Sequence, residues 1–232
     1  MARSGSVKLN GVVRRDPEFP VRIGTDRIEV DGQAVTGEAK VYLVFNKPRG
    51  VVTSASDEKG RATVYEYLPE GTPWVGPVGR LDKASEGLLL LTNDSEWAAR
   101  VTDPRTHLDK VYHVQMAAAP DQSLPRQLTD GVRSANGEIL RVKRVTPVRE
   151  GKKNSWLEIV LDEGKNRQIR RIFEALGIEV LRLVRVGIGP FSLGDLEKGV
   201  ARNLTAAEKK ALDSAMGNSI ARPRATASRR AR

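Results

Sequence analysis

The sequence predicts an α+β fold around a mainly antiparallel or mixed sheet. Strand-like runs and helical patterns mix irregularly along the chain, whereas a doubly wound parallel sheet would alternate them in regular order. Turn dipeptides (Asn10-Gly11, Asp130-Gly131 and Asn136-Gly137) separate several of the runs. The four consecutive leucines Leu88 to Leu91 suit a strand covered on both faces. No internal repeat is visible.

The elements follow in order. Val7-Lys8-Leu9 and Val12-Val13 flank Asn10-Gly11 as a hairpin, and Val21-Arg22-Ile23 and Ile28-Glu29-Val30 read as further short strands before Asp31-Gly32. Strands this short are unstable alone and must pack on something. Gly37-Glu38-Ala39 reads as a linker. Val41, Leu43 and Phe45 alternate with Tyr42 and Val44 in a strand that runs into the turn Asn46-Lys47-Pro48-Arg49-Gly50. Arg61 to Leu68 ends in a short helix closed by Pro69 and Gly71, and the Gly-Pro-Val-Gly stretch before Arg80 reads as a turn. Asp94 or Ser95 caps a helix with Trp97 and Val101 on one face, ended by Pro104.

Lys110 to Met116 is a strand with Tyr112, Val114 and Met116 pointing one way and Val111, His113 and Gln115 the other. A second subdomain fills Leu124 to Val148. Trp156 to Leu161 is a strand leading to Glu163-Gly164-Lys165-Asn166-Arg167. Ile169, Ile172, Phe173 and Leu176 recur at helical spacing until Gly177 stops the helix, whose basic N-terminal turn suits an anion. Val180 to Val186 is a strand carrying Arg182 and Arg185, and Thr205-Ala206-Ala207-Glu208 is a capping box for a last helix that closes near Gly217.

Composition narrows the function. A chain of 232 residues, 39% hydrophobic and 29% charged, can bury a real core. It lacks cysteine, which removes disulfides and thiolate metal sites, and it shows neither a signal-peptide core nor an apolar run of membrane-spanning length, so the reading is cytoplasmic. The net charge of +10 points to a polyanionic partner, nucleic acid first and an anionic membrane surface second. Five arginines between Ala221 and Arg232, with no acid among them, supply half of that excess from a tail expected to be disordered.

Common catalytic sites are missing. Gly187 and Gly189 lack the rest of a dinucleotide fingerprint, and no glycine-rich loop ends in Lys-Ser/Thr. His107 and His113, the only histidines, form no helical ligand pair and accompany no nucleophile elbow, so no metal is expected. What remains is Val78-Gly79-Arg80-Leu81-Asp82, just ahead of the leucine run, together with basic turns and a tyrosine on a strand. A carboxylate beside an arginine is favoured in its charged form, as a nucleophile or electrostatic anchor must be. Read alone, Arg80-Leu81-Asp82 is more often a turn cap with a surface partner. Lys47, Arg49, Lys165 and Arg167 fit solvated charge as well as phosphate contacts, and Tyr112 fits a core residue as well as a stacking platform.

Four ordered blocks shift that balance: Gly79 to Asp82, Gly87 to Asp94, Lys110-Val111-Tyr112 and Glu163 to Arg171, flanked upstream by Phe45 to Gly50 and downstream by Leu181 to Gly187. Together they resemble the bacterial pseudouridine synthases that modify 16S and 23S ribosomal RNA, over roughly residues 40 to 206. The resemblance implies a pseudouridine-synthase-type core with two subdomains flanking a catalytic cleft, working without cofactor or metal. It implies that Asp82 is the catalytic aspartate, that Arg170 pairs with it, and that Tyr112 packs on the target base and handles its proton. Arg80 would lie near the flipped nucleotide, and Lys47, Arg49, Lys110, Lys165, Asn166 and Arg167 would contact RNA. Ser95 stands where that family usually has glycine. Val7 to Gly11 and Asp26 to Gly32 resemble the second half of an S4-like RNA-binding domain without its preceding helices. The expected organisation is a partial S4-like module at 1–36, a catalytic domain at 40–217 and a basic tail at 218–232. The expected protein is a monomeric, cytoplasmic enzyme acting on a uridine of ribosomal RNA, in 23S for preference; the alternative is a non-catalytic RNA-binding or ribosome-assembly factor on the same fold.

Overall fold

The structure, a computed structural model, describes residues 2–22, 25–35, 39–54, 57, 60–117, 119, 121–151 and 153–220. The described residues form two compact units that part between Lys40 and Val41. The linker positions Gly37 and Glu38, Ile23 and the arginine tail from Ala221 lie outside them.

The first unit holds β1 (Val7–Leu9), β2 (Val12–Val13), β3 (Ile28–Val30) and β4 (Gln33–Ala34), in the antiparallel order β2-β1-β3-β4. Its two hairpins turn on Asn10-Gly11 and Asp31-Gly32, and all four turn residues have positive φ, between 51° and 82°. That is the type I′ geometry whose twist matches paired strands, and Asn-Gly and Asp-Gly reach it at little steric cost. Val21 and Arg22 are irregular rather than extended in a strand.

In the second unit, the described residues give one nine-stranded sheet. Its strands are β5 (Tyr42–Lys47), β6 (Gly76–Val78), β7 (Glu86–Thr92), β8 (Lys110–Met116), β11 (Arg144–Arg149), β12 (Ser155–Leu161), β13 (Val180–Ile188), β14 (Phe191–Ser192) and β15 (Ala201–Asn203). The order is β11-β12-β8-β13-β7-β5-β15, with β14 beside β13 and β6 beside β7. Among these strands only β13 and β7 pair in parallel, so the sheet is mixed and mainly antiparallel. The short hairpin β9 (Val132–Arg133) and β10 (Ile139–Leu140) stands apart.

Every residue of β7 is buried. Leu88 and Leu90 pack under α1 (Ser95–Thr102) and α4 (Ala206–Ile220), with Trp97, Val101, Leu212 and Met216; Leu89 and Leu91 pack on the opposite face with Leu43, Phe45, Val64 and Leu81. At about 1.5–3 kcal/mol for each fully buried leucine, this run is a main source of cohesion. The other half of the sheet carries α2 (Leu124–Asp130) and α3 (Gln168–Ala175), whose Leu128, Ile169, Ile172 and Phe173 join Val114, Met116, Leu157 and Ile159 in one core. Residues Leu124 to Val148 therefore build onto the common sheet instead of forming a separate subdomain core.

The caps follow the chemistry of the chain. Asp94 Oδ1 accepts from the Trp97 amide at 3.2 Å, and Thr205 and Glu208 exchange reciprocal bonds of 2.8 and 3.2 Å. Two expectations need correction. Gly76–Val78, read as a turn, is a strand, because its edge pairs with Leu90 to Thr92. The last helix continues past Gly217 to Ile220.

Candidate active site

Asp82 sits on the loop between β6 and β7, and that loop is held by its own backbone. Five successive carbonyls each accept a hydrogen bond. Leu81 takes the Thr53 hydroxyl at 2.8 Å, Asp82 the Ser85 amide at 2.9 Å, and Lys83 the Gly50 amide at 2.8 Å. Ala84 takes Arg170 Nη2 at 2.9 Å and Ser85 takes Lys47 Nζ at 2.8 Å. A loop with its acceptors satisfied in this way holds its side chains without needing a ligand to order it.

The Asp82 carboxylate faces a cleft of about 390 Å³, a volume within the range of small-ligand sites (about 300–1,000 Å³). Gly79 to Asp82 line one wall, Leu161 to Ile169 another, and Lys110, Tyr112, Leu183 and Arg185 belong to the two strands between. The carboxylate accepts from Arg167 Nη1 at 3.3 Å, with 37% and 49% of the two side chains exposed.

Arg167 occupies the position before α3 in the left-handed region, with φ 48° and ψ 30°. A non-glycine residue there costs of order 1 kcal/mol or more and persists only where its surroundings impose it. Buried Gln168 imposes it here: its Nε2 donates to Glu163 Oε1 at 2.8 Å and to the Arg141 carbonyl at 2.9 Å, while its Oε1 accepts from the Lys165 amide at 3.3 Å. Gln168 carries no signal in the sequence beyond its place in the Asn-Arg-Gln run.

The structure revises several expected roles. The guanidinium that bonds Asp82 is Arg167, not Arg170. Arg170 lies behind the loop, holding the Ala84 carbonyl; burial lowers its pKa, the neighbouring Arg167 adds to that, and Asp82 opposes it. Asp82 is also wetter than a carboxylate with a buried partner would be.

Lys47 was expected at the mouth of a turn, touching phosphate. It is instead the last residue of β5, with no exposed surface, and it bonds the carbonyls of Ser85 and Pro48. Burial lowers its pKa to about 8, against the pull of Asp82 and Glu86. The reason is tertiary: β5 pairs with β7 on one side and β15 on the other, which draws Lys47 under the Asp82 loop.

Arg49 is exposed and donates to the Leu181 carbonyl at 3.3 Å, away from the cleft lining. Lys165 lines the cleft but carries its own counter-charges, Glu163 at 3.2 Å and Glu138 at 3.4 Å. Arg80 and Asn166 line it exposed to solvent. Lys110 lines it half-buried, its pKa lowered first by burial and then by Arg185. Tyr112 lines it half-buried on the face of β8 that carries Val114 and Met116.

Residues 41–175 match the family described as RNA pseudouridylate synthase. A ribosomal large subunit pseudouridine synthase B of Bacillus subtilis (strain 168) is 39% identical over 214 residues, covering 91% of this chain and 87% of that protein. An uncharacterized RNA pseudouridine synthase of Aquifex aeolicus (strain VF5) is 38% identical over 214 residues, covering 92% and 86%. A crystal structure of a pseudouridylate synthase superposes with a TM-score of 0.67 at 30% identity, covering 91% of this chain and 90% of that one.

Proposed function

This chain belongs to the RNA pseudouridylate synthase family, and from that premise we propose that it converts a specific uridine of ribosomal RNA, in the large subunit, to pseudouridine by aspartate catalysis. The observation that carries the proposal is Asp82, held on a loop with five successive carbonyls hydrogen-bonded, facing a nucleotide-sized cleft with Arg167 on its carboxylate and Tyr112 among the lining. Support for ribosomal RNA, and for its large subunit, comes from the Bacillus relative's name and from the net charge of +10.

In this reading the target base leaves the RNA stack and packs on Tyr112, since a paired base is out of reach of any side chain. Asp82 attacks C1′ as the N1–C1′ bond breaks, the freed base turns, and C5 bonds to C1′ as the bond from Asp82 breaks and the carboxylate is released. The C5 proton is lost and N1 regains one, so the product is an isomer of the substrate. Arg167 keeps the carboxylate oriented during attack, and Arg170 and Lys47 act from behind by fixing the loop. In the same reading the Tyr112 hydroxyl moves the proton. Arg80 and Arg167, exposed at the rim, meet backbone phosphates. No step calls on a cofactor, and the enzyme is taken to act as a monomer in the cytoplasm. The N-terminal β unit's part in docking RNA rests on its likeness to half of an S4-like domain.

The test is to map pseudouridines across ribosomal RNA from cells lacking the gene. One large-subunit position should revert to uridine and be restored by the wild-type gene but not by Asp82→Asn. An unchanged map would refute the proposal.

A further inference from the structure

Arg185 stands on β13 directly opposite Tyr112 on β8. Only 6% of its surface is exposed. Its Nε donates to the Leu88 carbonyl at 2.7 Å, which anchors one edge of the guanidinium to β7. Its Nη2 is fully buried and has no partner among the described residues, although the side chain lines the cleft. A buried guanidinium donor left unmatched is costly and calls for a group that completes it. The backbone supports the placement. The pairing of β13 with β8 slips by one residue between Arg185 and Gly187, and irregularities of this kind re-aim side chains beside active sites.

The position also limits what the ligand group can be. A phosphate of polymeric RNA must continue into chain on both sides, so it belongs at the rim, where Arg80 and Arg167 are exposed. The cleft interior can take only a dead end, and in a flipped nucleotide that is the base. We infer that Arg185 Nη2 donates a hydrogen bond to a carbonyl oxygen of the target uracil, making Arg185 the residue that recognises the base. This rests on the reading of the cleft as the site of uridine isomerisation.

The chemistry suits both recognition and turnover. Uracil presents acceptors at O2 and O4; cytosine shares O2 but presents at position 4 an amino donor that a guanidinium would repel, so a contact at O4 separates the two bases. When the N1–C1′ bond breaks, the electron pair stays with the base and its charge spreads onto those oxygens. A fixed cation there stabilises the charge as it develops. Lys110 is a second cation close enough to Arg185 for its pKa to be lowered by it, and an electron-rich oxygen between the two would relieve their repulsion.

The test is a substitution cycle on substrate and enzyme. RNA oligonucleotides carrying uridine, 2-thiouridine or 4-thiouridine at the target are turned over by wild type, Arg185→Met and Arg185→Gln. Sulfur accepts hydrogen bonds weakly, so wild type should lose roughly 10- to 100-fold in kcat/KM at the contacted carbonyl and much less at the other. In both variants the uridine rate should fall by a similar factor and the thio penalty should vanish, which is a coupling that a merely structural arginine would not show. Arg185→Gln keeps a donor for Leu88, and its melting transition reports folding. Equal thio penalties in wild type and variant overturn the inference, as does wild-type indifference to both thio substrates. A loss seen only as weaker, salt-dependent binding would assign Nη2 to phosphate and overturn it too. Failure of wild type to convert plain uridine would instead count against the functional reading.

Discussion

Gly87 and Arg185 face each other across the parallel pairing of β7 and β13 so closely that a Cβ on Gly87 would lie 2.2 Å from the Arg185 carbonyl oxygen. Gly87 also has φ +98°, which L side chains rarely adopt. This contact brings the strand that carries Arg185 against the strand that follows the Asp82 loop. Buried Glu86 adds to the join, bonding Arg182 at 3.1 Å and Lys198 at 2.5 Å; burial raises its pKa, but those two cations outweigh it and hold the carboxyl below its ordinary value.

Gly87→Ala should therefore destabilise the protein by about 3 kcal/mol or more, since backbone strain and overpacking each cost about 1–3 kcal/mol. The shift in denaturant midpoint at constant m measures it. A loss below about 1 kcal/mol, no larger than an ordinary surface change, would show that the two strands can part at little cost.

Lys47 gives a pH signature. Its folded pKa of about 8 lies below the unfolded value near 10.5. Between those values the unfolded chain holds a proton that the folded chain has released, so stability rises with pH there; below about 8 both states are protonated and the burial penalty is complete. Wild type should thus gain on Lys47→Met by up to about 3 kcal/mol on going from pH 7 to pH 10, at about 1.4 kcal/mol for each tenfold change in proton affinity. Paired denaturation curves at the two pH values check it, and a pH-independent difference would contradict it.

Arg167 and Arg170 should separate. The Arg167–Asp82 pair is half-exposed, so Arg167→Ala should change stability by less than about 1 kcal/mol, while kcat falls at least tenfold as the carboxylate loses its orienting partner. Arg170→Ala should lower both, costing about 1–3 kcal/mol, because it removes the donor on Ala84 and leaves that carbonyl unmatched. Melting curves and single-turnover rates on the two variants decide between these outcomes.

Tyr112 is expected to act through its ring and its hydroxyl in turn. Tyr112→Ala should weaken RNA binding by about 1–3 kcal/mol, the worth of one stacked base, whereas Tyr112→Phe should bind normally and lose turnover. Equal binding by all three proteins in a filter or fluorescence titration would remove the ring from the base.

Much of this was legible along the chain. The leucine run, the Asp94 and Thr205 caps and the Asn-Gly and Asp-Gly hairpins depend on neighbours a few residues away, and local chemistry decides them. Lys47 was not legible, because its burial depends on pairing with β7 and β15, and β15 lies some 150 residues further on. The same reason hid β6, whose only strand-like feature is its partner, and Arg185, which reads as one more basic residue until β8 and β7 close around it. The exchange of Arg170 for Arg167 at the carboxylate turns on a single left-handed residue, and no pattern in Arg167-Gln168-Ile169-Arg170 announces it.

The central claim, that Asp82 attacks the uridine, is tested most directly by tritium release from RNA labelled at uridine C5. Wild type should release the label as the base rejoins through C5. Asp82→Asn, folded and still binding RNA, should release none, and substantial release by that variant would contradict the account.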